Sequence, residues 1–183
     1  YVGKLTEGQG AHIVDEMAQI TRDDDSIRYI VIGDGPLADR FQDRDDLTFE
    51  GFVDNKSMPD YYNLADVTVA PREHDNTSNV GLESIACGTP MVSTARGDIV
   101  RLFKDRQTYV WAEERTPRAV LAEVRKLASD PEYYEAQVAR GLRTMDEMEL
   151  TIESALKTHL RVYTELTDDE PARTERNRHG TSG

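Results

Sequence analysis

The sequence predicts an α/β fold: a parallel sheet of about six strands with helices on both faces, followed by C-terminal helices. Two observations predict it. Short apolar, β-branched runs alternate with stretches of helical period from Tyr1 to Trp111. Turns rich in glycine, proline and aspartate separate them. After Trp111 only helical patterns remain.

Each element follows from its residues. "YVGKL" at 1–5 reads as a strand, and 10–21 as a helix with Ile13, Met17 and Ile20 on one face. A strand at 28–32, a helix at 36–44, a strand at 47–50 and a helix at 55–63 come next. A strand at 67–70, a helix at 80–87 and strands at 91–94 and 108–111 complete the alternating part. Thr116-Pro117 pairs a helix N-cap with proline at the first helical position, and Val120, Leu121, Val124, Leu127 and Ala128 make the apolar face behind it. Asp130-Pro131 repeats the device. A last helix is expected at 151–166, and the charged, aperiodic tail at 168–183 is expected to be disordered. One domain, 1–167, thus precedes a tail.

The chain carries 22 Lys and Arg against 35 Asp and Glu, a net charge of -13. Such a surface repels nucleic acid and anionic membrane, so neither is an expected partner. A salt-adapted source and an ordinary acidic cytosolic protein fit this charge equally. The single cysteine, Cys87, excludes an intrachain disulfide and a cysteine metal cluster. A reducing, cytoplasmic setting is expected. No apolar run reaches the ~18 residues of a membrane span. The chain opens on apolar residues without a methionine, as expected of a piece of a longer protein.

Two stretches carry candidate chemistry. In "YIVIGDGPLADRF", 29–41, a strand ends in Gly33-Asp34-Gly35-Pro36-Leu37-Ala38, the G-x-G-x-x-A spacing of a Rossmann-like dinucleotide turn, with Glu50 closing the next strand. A nicotinamide site places that turn at the start of the fold with an acid about 20 residues on. Here a strand-helix unit precedes the turn and Glu50 falls short of the spacing. The same residues also suit a plain strand-to-helix turn, glycine for an unusual φ and proline for the first helical position.

The second stretch, "PREHDNTSNVGLESIACGTPMVST" at 71–94, asks for more. A polar loop follows a strand, and Ser78 or Asn79 would cap a helix that Gly88 ends. Free backbone N–H groups near Asn79 and Val80 suit an anion such as a diphosphate. Glu83 stands one turn inside, where its carboxylate can accept bonds from paired ribose hydroxyls. Asp75 lies eight residues earlier, on a loop at the carboxyl end of a strand, where open α/β sheets hold their ligands. A capped helix beside a solvated loop is the plainer alternative. "DDD" at 23–25 reads as a solvated helix end, and the four histidines show no ligand spacing.

From these residues the chain resembles the donor-binding, C-terminal half of retaining GT-B glycosyltransferases, the group 1 glycosyl transferases. Four landmarks stand in the family's order over residues 1–166: "VGKL…QG" at 2–10, "IVIGDGP" at 30–36, "FEGFV…YYNLADVTVAP" at 49–71 and "DNTSNVGLESIACGTPMV" at 75–92. The resemblance implies that the ligand is a nucleotide-sugar, bound as substrate with no cofactor and no metal. It implies that Lys4 reaches the donor diphosphate, and that Gln9 stands where a second cation is usual. Gly51, Phe52 and Val53 would meet the nucleobase, Ser78, Asn79 and Val80 the phosphates, and Glu83 the ribose. Asp75 would be the catalytic acid facing the transferred sugar, usually a glutamate, with Glu73 as its rival. The implied partner is the acceptor-binding N-terminal half of the same enzyme, which would also set any contact with the cytoplasmic membrane face. Three readings therefore stand: a donor-binding half of a sugar transferase, inactive alone; a non-catalytic relative whose site has decayed at Gln9 and Asp75; and a nicotinamide-binding oxidoreductase module using Gly33, Gly35 and Glu50.

Overall fold

A computed structural model describes residues 1–74, 79–94, 103–104 and 106–149. One compact unit spans Tyr1–Met145, and a second runs from Asp146 to Gly183, of which 146–149 are described. Asp75, Ser78, the helix expected at 151–166 and the tail at 168–183 lie outside the described residues.

The alternating pattern folds as a parallel α/β structure. Helix α1 (Ala11–Ile20) leads to β1 (Tyr29–Ile32), a single 3-10 turn (Ala38–Arg40) and β2 (Leu47–Gly51). Helix α2 (Met58–Leu64), β3 (Thr68–Ala70), α3 (Asn79–Ala86), β4 (Met91–Ser93) and β5 (Val110–Trp111) follow, then α4 (Pro117–Ser129) and α5 (Pro131–Glu147). Strands β1 and β2 pair in parallel, and β3, β4 and β5 form a second parallel group in that order.

The strand expected at 1–5 is reduced to one bridge, Val2 to Ile32. The reason is register. Ile32 donates its N–H to the Tyr1 carbonyl at 2.8 Å, so residue 1 already stands opposite the end of β1, which turns away at Gly33. The pairing continues into the turn, where the Leu5 N–H donates to the Asp34 carbonyl at 2.9 Å. Among the described residues the expected six strands are therefore five and this bridge.

Side-chain alternation along β1 puts helices on both faces. Val31 joins a core with Ile13, Val14 and Met17 of α1 and Val120, Leu121 and Leu127 of α4. Ile30 and Ile32 point the other way, to Met58 and Tyr62 of α2 and to Val80 of α3. The predicted caps form: the Ala119 N–H donates to the Thr116 hydroxyl at 3.3 Å, and the Tyr133 N–H to the Asp130 carboxylate at 2.9 Å. Each is worth about 1 kcal/mol to its helix.

The helix expected at 36–44 is not there. Its residues are claimed by tertiary partners instead. The Leu37 N–H donates to the Leu5 carbonyl at 3.0 Å, Phe41 is buried, and Asp43 turns the chain at a φ of 52°. Arg40 and Arg44 both reach back to buried Asp15 on α1, at 3.4 and 2.5 Å, and Arg44 also clasps Asp46. Arg44 and Asp46 line a concavity with Gln19, Arg22, Asp43 and Asp45 at the amino end of β2, the opposite end of the strands from the loops described below.

That cluster makes stability depend on acid. The Arg44 side chain, bonded to Asp46, holds the Asp46 carboxyl below its ordinary value of 3.8. A depressed native value adds stability above the unfolded value and forfeits it as pH falls through the native one. Asp46→Asn is expected to cost about 1.5–3 kcal/mol at pH 7. In urea titrations the gap from the parent should close as pH drops below about 4. A gap unchanged by pH would mean that charge plays no part.

Candidate functional site

Three loops converge where the strands end. The loop at 3–10 leaves the bridge, the turn at 33–36 leaves β1, and the segment at 71–74 leaves β3. The first two meet backbone to backbone: a Cβ on Gly33 would lie 1.9 Å from the Gly3 carbonyl oxygen. The first and third meet where the Glu73 N–H donates to the Gly8 carbonyl at 3.0 Å. This is the carboxyl-end crevice of an open parallel sheet, where such folds hold their ligands.

Several side chains tie the loops together. The Tyr1 hydroxyl lies 3.0 Å from the Lys4 carbonyl and 3.3 Å from the Gln9 carbonyl, pinning both ends of their loop. Burial pushes that phenol up to about 12, against an opposing pull from Arg72, so it stays protonated. Arg115, which precedes α4, donates through Nε to the Pro71 carbonyl at 3.0 Å and through Nη2 to the Glu7 carbonyl. Arg72 is itself 8% exposed, and its Nη2 would lie 3.6 Å from a Cβ on Gly3. A buried cation thus sits under the loop that carries Lys4 and Gln9.

The predicted residues fall around this crevice unevenly. Lys4 is exposed and Gln9 half-buried on the first loop. Gly51 ends β2, at a bulge that leaves Glu50 out of register, and its carbonyl accepts from the Gly33 N–H at 2.7 Å. Phe52 follows with 83% of its surface exposed, while Val53 packs beside Tyr62 and Met58. Asn79 is exposed at the start of α3, Val80 half-buried, and Glu83 exposed one turn on. The Tyr62 hydroxyl donates to Glu83 Oε2 at 3.0 Å. Burial first, and the Glu83 carboxylate second, raise that phenol above its ordinary value.

The nicotinamide arrangement is not built. Gly33 and Gly35 are packed against the backbone of Gly3 and Leu5, so the turn is filled by protein. No α-helix follows to offer its N-terminus to a pyrophosphate, only the 3-10 turn. Glu50 lies against Tyr61, whose phenol is raised first by desolvation and then by that carboxylate. Tyr1, Tyr62, Arg72 and Arg115 are the residues that reading the sequence missed. Tyr62 left one trace, its place in the "YYNLADV" landmark. Tyr1 and Arg72 stand at the edges of quoted stretches, and Arg115 lies outside them all.

The comparisons with known proteins now bear on this crevice. The model of the family "Glycosyl transferases group 1" matches residues 1–130. This chain belongs to the group 1 glycosyl transferases. Over 138 residues it is 27% identical to an uncharacterised glycosyltransferase of Methanocaldococcus jannaschii, covering 71% of this chain and 35% of that protein. Over 145 residues it is 28% identical to a GDP-mannose-dependent alpha-(1-6)-phosphatidylinositol dimannoside mannosyltransferase of Mycobacterium tuberculosis, covering 76% and 38%. The chain thus spans little more than a third of these relatives. Among solved structures, the C-terminal domain of a group 1 family protein from Francisella tularensis superposes with a TM-score of 0.66 at 17% identity, covering 80% of this chain and 83% of that one. Anabaena HepE in complex with UDP gives 0.72 at 14% identity, over 90% and 48%. Sucrose-phosphate synthase from Thermosynechococcus elongatus gives 0.73 at 19% identity, over 91% and 45%. At these identities the likeness is one of fold: this group 1 chain has the GT-B half-fold, a parallel sheet with helices on both faces.

Proposed function

We propose that this chain is the nucleotide-sugar-binding half of a retaining sugar transferase. One observation carries the reading: Glu83 presents an exposed carboxylate, held by Tyr62, on the helix that starts at the carboxyl-end crevice of a group 1 chain. In this reading Glu83 accepts bonds from the ribose, and exposed Phe52 with Gly51 and Val53 forms the wall for the base. Lys4 and the first-turn N–H groups of α3 at Asn79 and Val80, with Ser78 before them, hold the diphosphate.

The chemistry assigned to the chain is electrostatic. The sugar leaves as the diphosphate gains charge, and fixed cations and N–H groups lower the energy of that charge without having to reorganise. No metal is required in this scheme. Asp75 would face the transferred sugar, and the acceptor would come from a preceding domain of the same enzyme. UDP, bound in the Anabaena neighbour, is the natural first probe, and GDP, named in the mycobacterial relative, the second.

Glu83→Ala tests the reading. The variant should bind the preferred nucleoside diphosphate more weakly by about 1.5–3 kcal/mol, as expected for hydrogen bonds to a charged group. Its thermal midpoint should fall only modestly: the carboxylate is exposed, but the Tyr62 hydroxyl loses its acceptor. Unchanged affinity in calorimetry would reduce Glu83 to an ordinary helix residue.

A further inference from the structure

Tyr62 touches no ligand in the scheme above, yet its placement is fixed from several sides. The residue is 2% exposed, its ring set among Ile32, Met58 and Val80. Its backbone is pinned as well, since the Thr89 hydroxyl donates to the Tyr62 carbonyl at 2.6 Å. The Ser84 hydroxyl lies 2.8 Å from both the Thr89 carbonyl and the Thr68 hydroxyl. Ser84 is the residue after Glu83, so one buried polar chain registers β3, the Glu83 turn of α3 and Tyr62 against each other. Thr68, Ser84 and Thr89 are all buried. The exposed member of the chain is the Glu83 side chain, and the Tyr62 hydroxyl restrains it.

An exposed glutamate samples many rotamers and loses that freedom when it binds. A carboxylate already held by one oxygen has given up most of it beforehand, which is the general advantage of preorganisation. We propose that Tyr62 is a positioning residue: by holding Oε2 of Glu83 it aims Oε1 at the ribose and sets the preference for ribonucleotides over deoxy forms. This rests on the assignment of Glu83 to the ribose. Because its phenol stays protonated, Tyr62 remains a donor throughout the neutral range.

The test is calorimetry of the 183-residue chain with UDP and 2′,3′-dideoxy-UDP, and with the matching guanosine pair. Proteins compared are the parent, Tyr62→Phe, Glu83→Ala and the double variant. The parent should prefer the ribose form about tenfold or more. Tyr62→Phe should cut that preference about fivefold and leave the dideoxy affinity within about twofold, and in the Glu83→Ala background it should add nothing. An undiminished preference in Tyr62→Phe, or equal losses for both ligands, would overturn the role of Tyr62 and leave Glu83 standing. A parent without any preference would overturn the ribose assignment, and this proposal with it. If Tyr62→Phe melts below the assay temperature, all four proteins are compared at a lower temperature, where the same loss of preference is expected and the same constancy fatal.

Discussion

The 183-residue chain by itself is expected to bind UDP or GDP weakly and to transfer no sugar to any acceptor, whereas joining it to an acceptor-binding domain should produce turnover. The effect is large because of what positioning contributes. Holding two reactants in line supplies roughly 7–11 kcal/mol of a barrier, and nothing described in this chain faces the crevice from the acceptor side. An open crevice also admits water, which weakens every charge interaction on the departing diphosphate. The chain spans 35% and 38% of the two relatives named above, which leaves room in proteins of that length for a second domain. Gln9→Lys is the informative companion. A cation on the loop pinned by Tyr1 should tighten diphosphate binding roughly tenfold without giving turnover, since it supplies charge and no acceptor. Product analysis with a panel of nucleotide-sugars and acceptors decides the matter. Transfer by the chain alone at an ordinary enzymatic rate would end the half-enzyme reading.

Gly33→Ala is expected to cost about 4 kcal/mol or more, enough to unfold many domains of this size. Two independent penalties combine. Gly33 sits at a φ of 136°, which side chains rarely adopt, and its Cβ would fall 1.9 Å from the Gly3 carbonyl oxygen. That oxygen is backbone, so relief requires moving the whole loop that carries Lys4. Gly8→Ala is the control, with nothing within 4 Å of the added carbon; it should change stability by less than about 1 kcal/mol. Urea denaturation of the two variants should separate them clearly. Similar stabilities would show that the loop at 3–10 yields easily, and the rigid crevice described above would have to be abandoned. Whatever fold survives in Gly33→Ala should bind nucleotide poorly, because the crevice is built on that contact.

What the sequence determined by itself is what depends on near neighbours. Short apolar, β-branched runs became β1, β2, β3 and β4, and the Thr116 and Asp130 caps opened α4 and α5 where they were expected. The place of Glu83 one turn inside α3 was also legible, because helical spacing fixes it once the helix start is read. Tertiary structure decided whatever depends on residues far apart in the chain. Helical spacing at 36–44 yielded to Asp15 on another helix, since two arginines gain more from one buried carboxylate than a short helix gains from its own bonds. By spacing alone "GDGP" suits a dinucleotide turn or a plain strand-end turn; Gly3 and Leu5 fill it, and no local pattern shows a backbone arriving from elsewhere. The pairs that frame the crevice span 21 residues from Tyr62 to Glu83, 44 from Pro71 to Arg115 and 108 from Glu7 to Arg115. Each joins a donor to an acceptor that only the closed fold brings within reach. A residue's chemistry was therefore readable in advance, and its partner was not, because hydrogen bonds depend on distance in space and the sequence records only distance along the chain.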